Sequence, residues 1–219
     1  MDIDQQLKQM HADFDPIYSA LMNYQCAVME VETKFNILNN RLSIDGEHNP
    51  IESVKSRVKD LDSIIRKLAK HNFPITVESI EKLHDVAGVR VVCSFVDDIY
   101  RLAECFLAQD DVTLVKRFDY IENPQPSGYR SLHLIVKTPV YTEIGKKEML
   151  VEVQMRTIAM DFWASLSHKL QYKKNLNPET AEQLAEELKA CAEESAKLDK
   201  KMLNIRNRIA EGGAAASDS

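Results

Sequence analysis

Val54–His71, VKSRVKDLDSIIRKLAKH, decides how the rest of the chain is read. Two periods compete for its first half. On a helix, Arg57 and Lys59 would point roughly 200° apart, at about 100° per residue. On a strand, Lys55, Arg57 and Lys59 share one face, and Val54, Ser56 and Val58 share the other. The strand segregates the two kinds of side chain more cleanly, so the pattern predicts a strand over 53–59. Asp60 is then placed to cap a helix that carries Ile64, Ile65 and Leu68. A charged-faced strand running straight into an amphipathic helix implies helices laid on a sheet. The same stretch holds six Lys or Arg between 55 and 70 against two Asp, a positive island in a chain of net charge −6.

The neighbouring segments extend this pattern. VAGVRVVCSF (86–95) reads as a buried strand and 97–109 as a helix. VTLVKRFDYI (112–121) and YRSLHLIVKT (129–138) read as strands joined by ENPQPSG, and EMLVEVQMR (148–156) as a last strand after the turn EIGKK. Helices are predicted over 157–173, ending near Tyr172 and Lys173, and over 178–211, where Pro178 suits a first turn. Toward the N-terminus, Ile17, Leu21, Tyr24, Val28, Val31, Phe35 and Leu38 recur in steps of three and four, an amphipathic helix. Ser43–Pro50 (SIDGEHNP) is a turn-rich break. The expected organisation is a helical arm (1–44), a domain carrying the sheet (45–173), a C-terminal helix (174–211) and a disordered tail (212–219). The fold class is α/β (α+β): a mixed β-sheet flanked by helices, with long N- and C-terminal helices.

Composition narrows the setting. The 219 residues, 44% hydrophobic, suffice for one sizeable core. The acidic balance is not that of a broad nucleic-acid-binding surface. Cys26, Cys93, Cys105 and Cys191 lie far apart without a CxxC pair, which reads as thiols in a reducing cytoplasm. MDIDQQLKQM lacks the features of a signal peptide. No stretch reaches the ~18 apolar residues of a membrane span.

The strand at 148–156 carries the strongest chemical signal. Glu152, Gln154 and Arg156 fall on one face, and Val151, Val153 and Met155 on the other. Three polar groups in a row mean either an exposed sheet face or a polar cleft. His133, Arg90 and the basic residues of 53–59 add polar groups from other strands. Cations with a carboxylate suit a polyphosphate and a divalent metal. His84–Asp85 resembles the dipeptide of metal-dependent phosphohydrolases, but it runs into AGVR and a strand with no supporting ligands, so a hydrolase site is rejected. Neither a GxxxxGK[ST] loop nor GxGxxG nor GxSxG is present. Phosphates would be held by side chains.

Four motifs in order, RVKDLDSIIRKL, HDVAGVRVVCSF, DYIENPQPSGYRSLH and VEVQMRTIAMDFWASLSHKLQYK, resemble the synthetase domain of the RelA/SpoT homologue family. Order and spacing are similar to the small single-domain alarmone synthetases of RelQ and RelP type. The resemblance covers about residues 50–173, and the flanking helices in layout. It implies a nucleotidyltransferase-like fold in a cytoplasmic enzyme, and transfer of the β,γ-diphosphate of ATP to the 3′-hydroxyl of GDP or GTP, giving ppGpp or pppGpp. It also implies Mg2+ as cofactor and a homotetramer. By the same resemblance, Asp85 is a metal ligand, and Glu152 the catalytic carboxylate and a possible second ligand. Arg57, Arg90, Lys59 and Lys67 hold ATP. Tyr129 stacks on guanine, His133, Gln154 and Gln125 lie on the acceptor side, and Asp161 reads guanine.

The chain departs from the family pattern at several points. Gln125 stands where many relatives have Lys, Asp161 where Asn is frequent, and Ser167 where many have Glu. Asn36, Asn39 and Ser53 replace basic and aromatic residues of the regulatory cleft of the RelQ branch, so activation by pppGpp is not carried over with the resemblance. Trp163 and His168 read as packing residues. Two other functions stay open: a toxin-type enzyme that pyrophosphorylates the 3′-CCA end of tRNA, and a non-catalytic RNA-binding or oligomerisation protein.

Overall fold

The computed structural model describes residues 3–45, 49–143, 145–171 and 177–217. Helix α1 (Ile3–Asp45) leads into strand β1 (Ile51–Val58). Asp60 caps α2 (Leu61–Lys70) as expected, its carboxylate accepting from the Ser63 N–H at 2.8 Å. A short helix α3 (Val77–Glu81), capped by Thr76, precedes β2 (Ala87–Cys93). Then come α4 (Val96–Leu107), β3 (Thr113–Asp119), β4 (Leu132–Thr142), β5 (Gly145–Thr157), α5 (Ile158–Gln171) and α6 (Pro178–Ser217).

The five strands form one mixed sheet in the order β1-β2-β5-β4-β3. Only β2 and β5 run parallel; the other pairs are antiparallel. Val89, Val91, Val151, Val153, Met155, Leu132, Leu134 and Val136 point to one face and are all buried. The stripe Ile17, Tyr24, Val28, Val31 and Phe35 of α1 covers that face, and Phe35 stacks on Phe106 of α4 with ring centroids 4.5 Å apart. This apolar face is the core. The opposite face, built from the alternate residues, is where the polar side chains fall.

The strand ends differ from the expected ones for identifiable reasons. β1 stops at Val58, although the Lys59 N–H still bonds the Val86 carbonyl at 2.8 Å. β4 starts at Leu132, leaving Tyr129, Arg130 and Ser131 in the preceding loop. It also runs on through Pro139. There β3 no longer pairs with it, so a residue without an N–H costs no ladder bond. The turn expected at EIGKK is tighter: β5 begins at Gly145, which adopts φ +117°, and pairs back to Thr142. Helix α6 takes in 212–217 of the segment read as a disordered tail. The expected helix end at Tyr172 and Lys173, and tail residues 218–219, lie outside the described residues.

Candidate active site

Register brings the polar residues of four strands into two rows. Arg57 of β1 sits opposite Gly88 of β2, which sits opposite Glu152 of β5. One step along, Lys55, Arg90, Gln154 and His133 lie side by side across β1, β2, β5 and β4. The face separation expected for β1 and β5 holds in both strands. These rows floor a cavity of about 770 Å³, walled by Gln125, Ser127 and Tyr129 of the β3–β4 loop and by Trp163, Ser167, His168 and Lys169 of α5. Asp85, just before β2, also lines it. No helix among the described residues is long and apolar enough to cross a membrane.

At one end, Asp85 is gripped by two lysines. Lys59 Nζ lies 2.7 Å from one carboxylate oxygen and Lys67 Nζ 2.6 Å from the other. Burial works against the charge of Asp85, but the two ammonium groups outweigh it and hold the carboxyl below its ordinary range. Lys59 and Lys67 do not themselves line the cavity; they reach it through Asp85. Arg57 and Arg90 project from adjacent strands. Partial burial, then the nearby Arg156 guanidinium, lower the pKa of Arg90.

At the other end the groups form a continuous hydrogen-bonded chain. Arg156 Nη2 donates to the Tyr129 hydroxyl at 2.7 Å and to Gln154 Oε1 at 3.1 Å; Arg156 Nη1 donates to Asp161 at 2.9 Å. The Tyr129 hydroxyl lies 2.8 Å from His133 Nε2, and His133 Nδ1 lies 3.2 Å from Glu152 Oε1. A carboxylate only accepts, so His133 Nδ1 carries the proton in the bond to Glu152, and in the neutral ring Nε2 accepts from the Tyr129 hydroxyl. Gln154 Nε2 donates to the other oxygen of Glu152 at 2.9 Å. Burial opposes the charge on Glu152, yet the bonds from His133 and Gln154 hold its carboxyl below the ordinary value. Glu152 is therefore an ionised acceptor at the centre of the cavity.

Arg156 is a candidate site residue that the residue pattern alone does not single out; the alternation on β5 gives it as one polar position among three. The structure makes it a hub, 5% exposed, with its guanidinium 5.2 Å from the Tyr129 ring centroid. The alternation on β5 gave its direction, but nothing in the sequence showed that a loop tyrosine and a helix aspartate would meet it. Asp161 does not line the cavity; it backs Arg156 and lies 3.5 Å from Arg90. Ser167 turns its hydroxyl to the Ala164 carbonyl of its own helix at 3.2 Å and brings no charge. Asn39 accepts the Ile51 N–H at 3.3 Å, a bond that ties the end of α1 to β1. Trp163 packs against Ala164 and Ala192 as expected, and it shares the cavity wall with His168.

A central carboxylate on the open face of a mixed sheet, with guanidinium groups to one side and a braced tyrosine to the other, describes an enzyme cleft for nucleotide phosphates. Residues 56–177 match the family described as "Region found in RelA / SpoT proteins", and the chain belongs to that family. It is 45% identical over 190 residues to GTP pyrophosphokinase YwaC of Bacillus subtilis, covering 86% of this chain and 90% of that protein. To GTP pyrophosphokinase YjbM of the same organism it is 40% identical over 197 residues, covering 90% and 92%. Its fold superposes on small alarmone synthetase 1 of Bacillus subtilis bound to its product pppGpp, with a TM-score of 0.77, 39% identity, and coverage of 86% of this chain and 95% of that one. Small alarmone synthetase 2 of that organism gives 0.76 at 44% identity, covering 86% and 97%.

Proposed function

We infer that this protein is a GTP pyrophosphokinase that makes ppGpp or pppGpp from ATP and GDP or GTP. The observation that supports the reading is the ionised Glu152, in one row with Gly88 and Arg57 and linked through His133 to Tyr129. In the reaction, the acceptor 3′-hydroxyl attacks the β-phosphorus of ATP. A new O–P bond forms, the bond from Pβ to the α,β-bridging oxygen breaks, AMP leaves, and Glu152 takes the hydroxyl proton. Arg57 and Arg90 hold the donor, their flat guanidiniums suited to stacking on adenine and to charge-assisted bonds with phosphate. Lys59 and Lys67 bind the donor phosphates once these draw them from Asp85. Tyr129 stacks on guanine at the cavity wall. His133 keeps Glu152 ionised and aimed; Gln154 holds its second oxygen. Gln125 faces the acceptor from the loop, and Asp161 orients the guanine side through Arg156.

Mg2+ fits the donor set. Asp85 and Glu152 line one cavity, and the charge of Asp85 is felt at Glu152. Two carboxylates plus phosphate oxygens are what this hard, small cation takes. Among the described residues no cluster of three or more His, Cys, Asp or Glu forms a closed all-protein site. When bound, the ion supplies charge neutralisation for the phosphates in transfer. We also propose a homotetramer in the cytoplasm. Tyr18, Met22, Met29 and Ile37 stand exposed on α1, and Leu198, Met202, Ile205 and Ile209 on α6, apolar surface that a second copy would cover. Light scattering on the purified protein reads the mass directly.

The test of function is a transfer assay with Mg2+, labelled ATP and either GDP/GTP or bulk tRNA. AMP and a 3′-pyrophosphorylated guanosine nucleotide are expected. Label on tRNA alone would replace this reading with the toxin-type activity, and no AMP with either acceptor would replace it with a non-catalytic RNA-binding or oligomerisation role.

A further inference from the structure

The C-terminal helix makes a set of contacts that the reaction as described does not use. Gly128, at φ +89°, lies against α6 so closely that a Cβ on it would fall 2.6 Å from the Ala192 Cβ and 3.5 Å from the Lys189 Cα. Tyr129, the next residue, packs with Leu188 on the small apolar cluster of Trp163, Ala164 and Ala192. Trp163 Nε1 donates to the Leu188 carbonyl at 2.7 Å. Further along α6, the Asp199 side chain is largely buried. It accepts from the Thr157 hydroxyl at 2.7 Å and lies 3.8 Å from Arg130 Nη1.

These anchors fall on two segments only. One is the loop that carries Tyr129; the other is the β5–α5 junction that carries Arg156 and Asp161. Thr157 directly follows Arg156, and Arg130 directly follows Tyr129. A buried carboxylate is costly unless its partners are fixed, and burial does push the Asp199 pKa up against the pull of Thr157 and Arg130. None of the anchors named touches Arg57, Lys59, Lys67 or Asp85. A separate contact, Arg206 Nη1 to Asp97 at 3.1 Å, docks the same helix on α4, away from either substrate segment.

We propose that α6 is a positioning element for the acceptor half of the site, with Asp199 and Ala192 setting the distance between the Tyr129 loop and Arg156. The proposal rests on the acceptor assignment above. It separates α6 from a mere stabilising strap, because a strap would support both halves equally.

Steady-state kinetics on the full chain test it with Asp199→Ala, Asp199→Asn, Ala192→Leu and Arg206→Ala. The void beside Ala192 is about 10 Å³, so a leucine there must displace the Gly128 loop. Ala192→Leu and Asp199→Ala should raise KM for GTP by about 10- to 100-fold, the scale of a misplacement near 1 Å. Binding of a non-hydrolysable ATP analogue should stay within about twofold of wild type. Asp199→Asn, which keeps an acceptor for Thr157, should lie between, and Arg206→Ala should match wild type in both constants. Parallel loss for both substrates, the same effect from Arg206→Ala, or an unchanged GTP KM in Ala192→Leu and Asp199→Asn would each overturn the proposal. Should Asp199→Ala not fold, Ala192→Leu and Asp199→Asn decide it. Wild-type protein that transfers nothing to GDP or GTP overturns the functional reading itself, an outcome seen before any variant is made.

Discussion

The two ends of the cavity are built on opposite plans. The donor end is an assembly of more local charges: Arg57 projects from β1, Asp85 is held by Lys59 and Lys67, and Arg90, 3.5 Å from Asp161, is the group that leans toward the other end. The acceptor end is one connected object, in which Arg156 reaches Asp161, Tyr129 and Gln154, and the chain continues through His133 to Glu152. Charges that act singly should fail singly. Members of a network should fail together, because removing one leaves its buried partners unsatisfied.

Glu152→Gln breaks the comparison at its meeting point. It should cost about 10²- to 10⁴-fold in turnover, the usual worth of a positioned general base, with binding of both nucleotides retained. AMP release under saturating ATP and GTP measures it, and an unchanged rate would remove Glu152 from the mechanism. Paired substitutions then test the two plans directly. Arg57→Ala should raise KM for ATP by about tenfold, as expected for a lost charge-assisted bond of roughly 1.5 kcal/mol, and leave GTP alone. Tyr129→Ala should do the reverse, and it should also lower turnover, since the hydroxyl that steadies the His133 ring at Nε2 goes with it. If each variant shifts both constants equally, the division into halves is wrong.

His133→Ala gives a smaller and more specific signal. The folded pKa of Glu152 is depressed, so its charge is present above that pKa and lost as pH falls through it. Removing His133 leaves the opposing effect of burial less balanced. The acid limb of the turnover profile should therefore move to higher pH while the alkaline limb stays in place. A limb that stays put would mean that His133 does not hold the charge on Glu152. Gln125→Lys comes last: a restored cation facing the acceptor should lower KM for GTP by a few fold, about 0.5–1.5 kcal/mol for one solvent-facing contact. It should leave ATP binding unchanged.

The donor end was more legible in the sequence than the acceptor end, and its construction explains why. Lys55, Arg57 and Arg90 lie within strands, where alternation alone assigns a face. The core positions of β2 and β5 were legible for the same reason. The role of Arg156 depends on a loop residue, Tyr129, and a helix residue, Asp161, arriving at the same point, and no local period encodes that. The outer part of the β4–β5 hairpin escapes the sequence pattern because Lys146, Lys147 and Glu148 show no hydrophobic alternation, while Pro139 and Gly145 read as breakers. Helix α3, five residues long, is too brief for a 3.6-residue period to register.

Gly88 stands in the row between Arg57 and Glu152, at the line where the two halves meet. Its backbone does not demand a glycine: φ is ordinary, and a Cβ there would meet nothing nearer than the Glu152 carbonyl oxygen at 3.9 Å. What the residue contributes is vacancy. A transfer between two bound molecules needs a passage that no protein atom occupies, and Gly88 leaves the cavity floor bare at that line. A valine at 88, whose Cβ has room, is expected to put two methyl groups there. The chain would then hold its two nucleotides like neighbours across a wall, each bound and neither able to react.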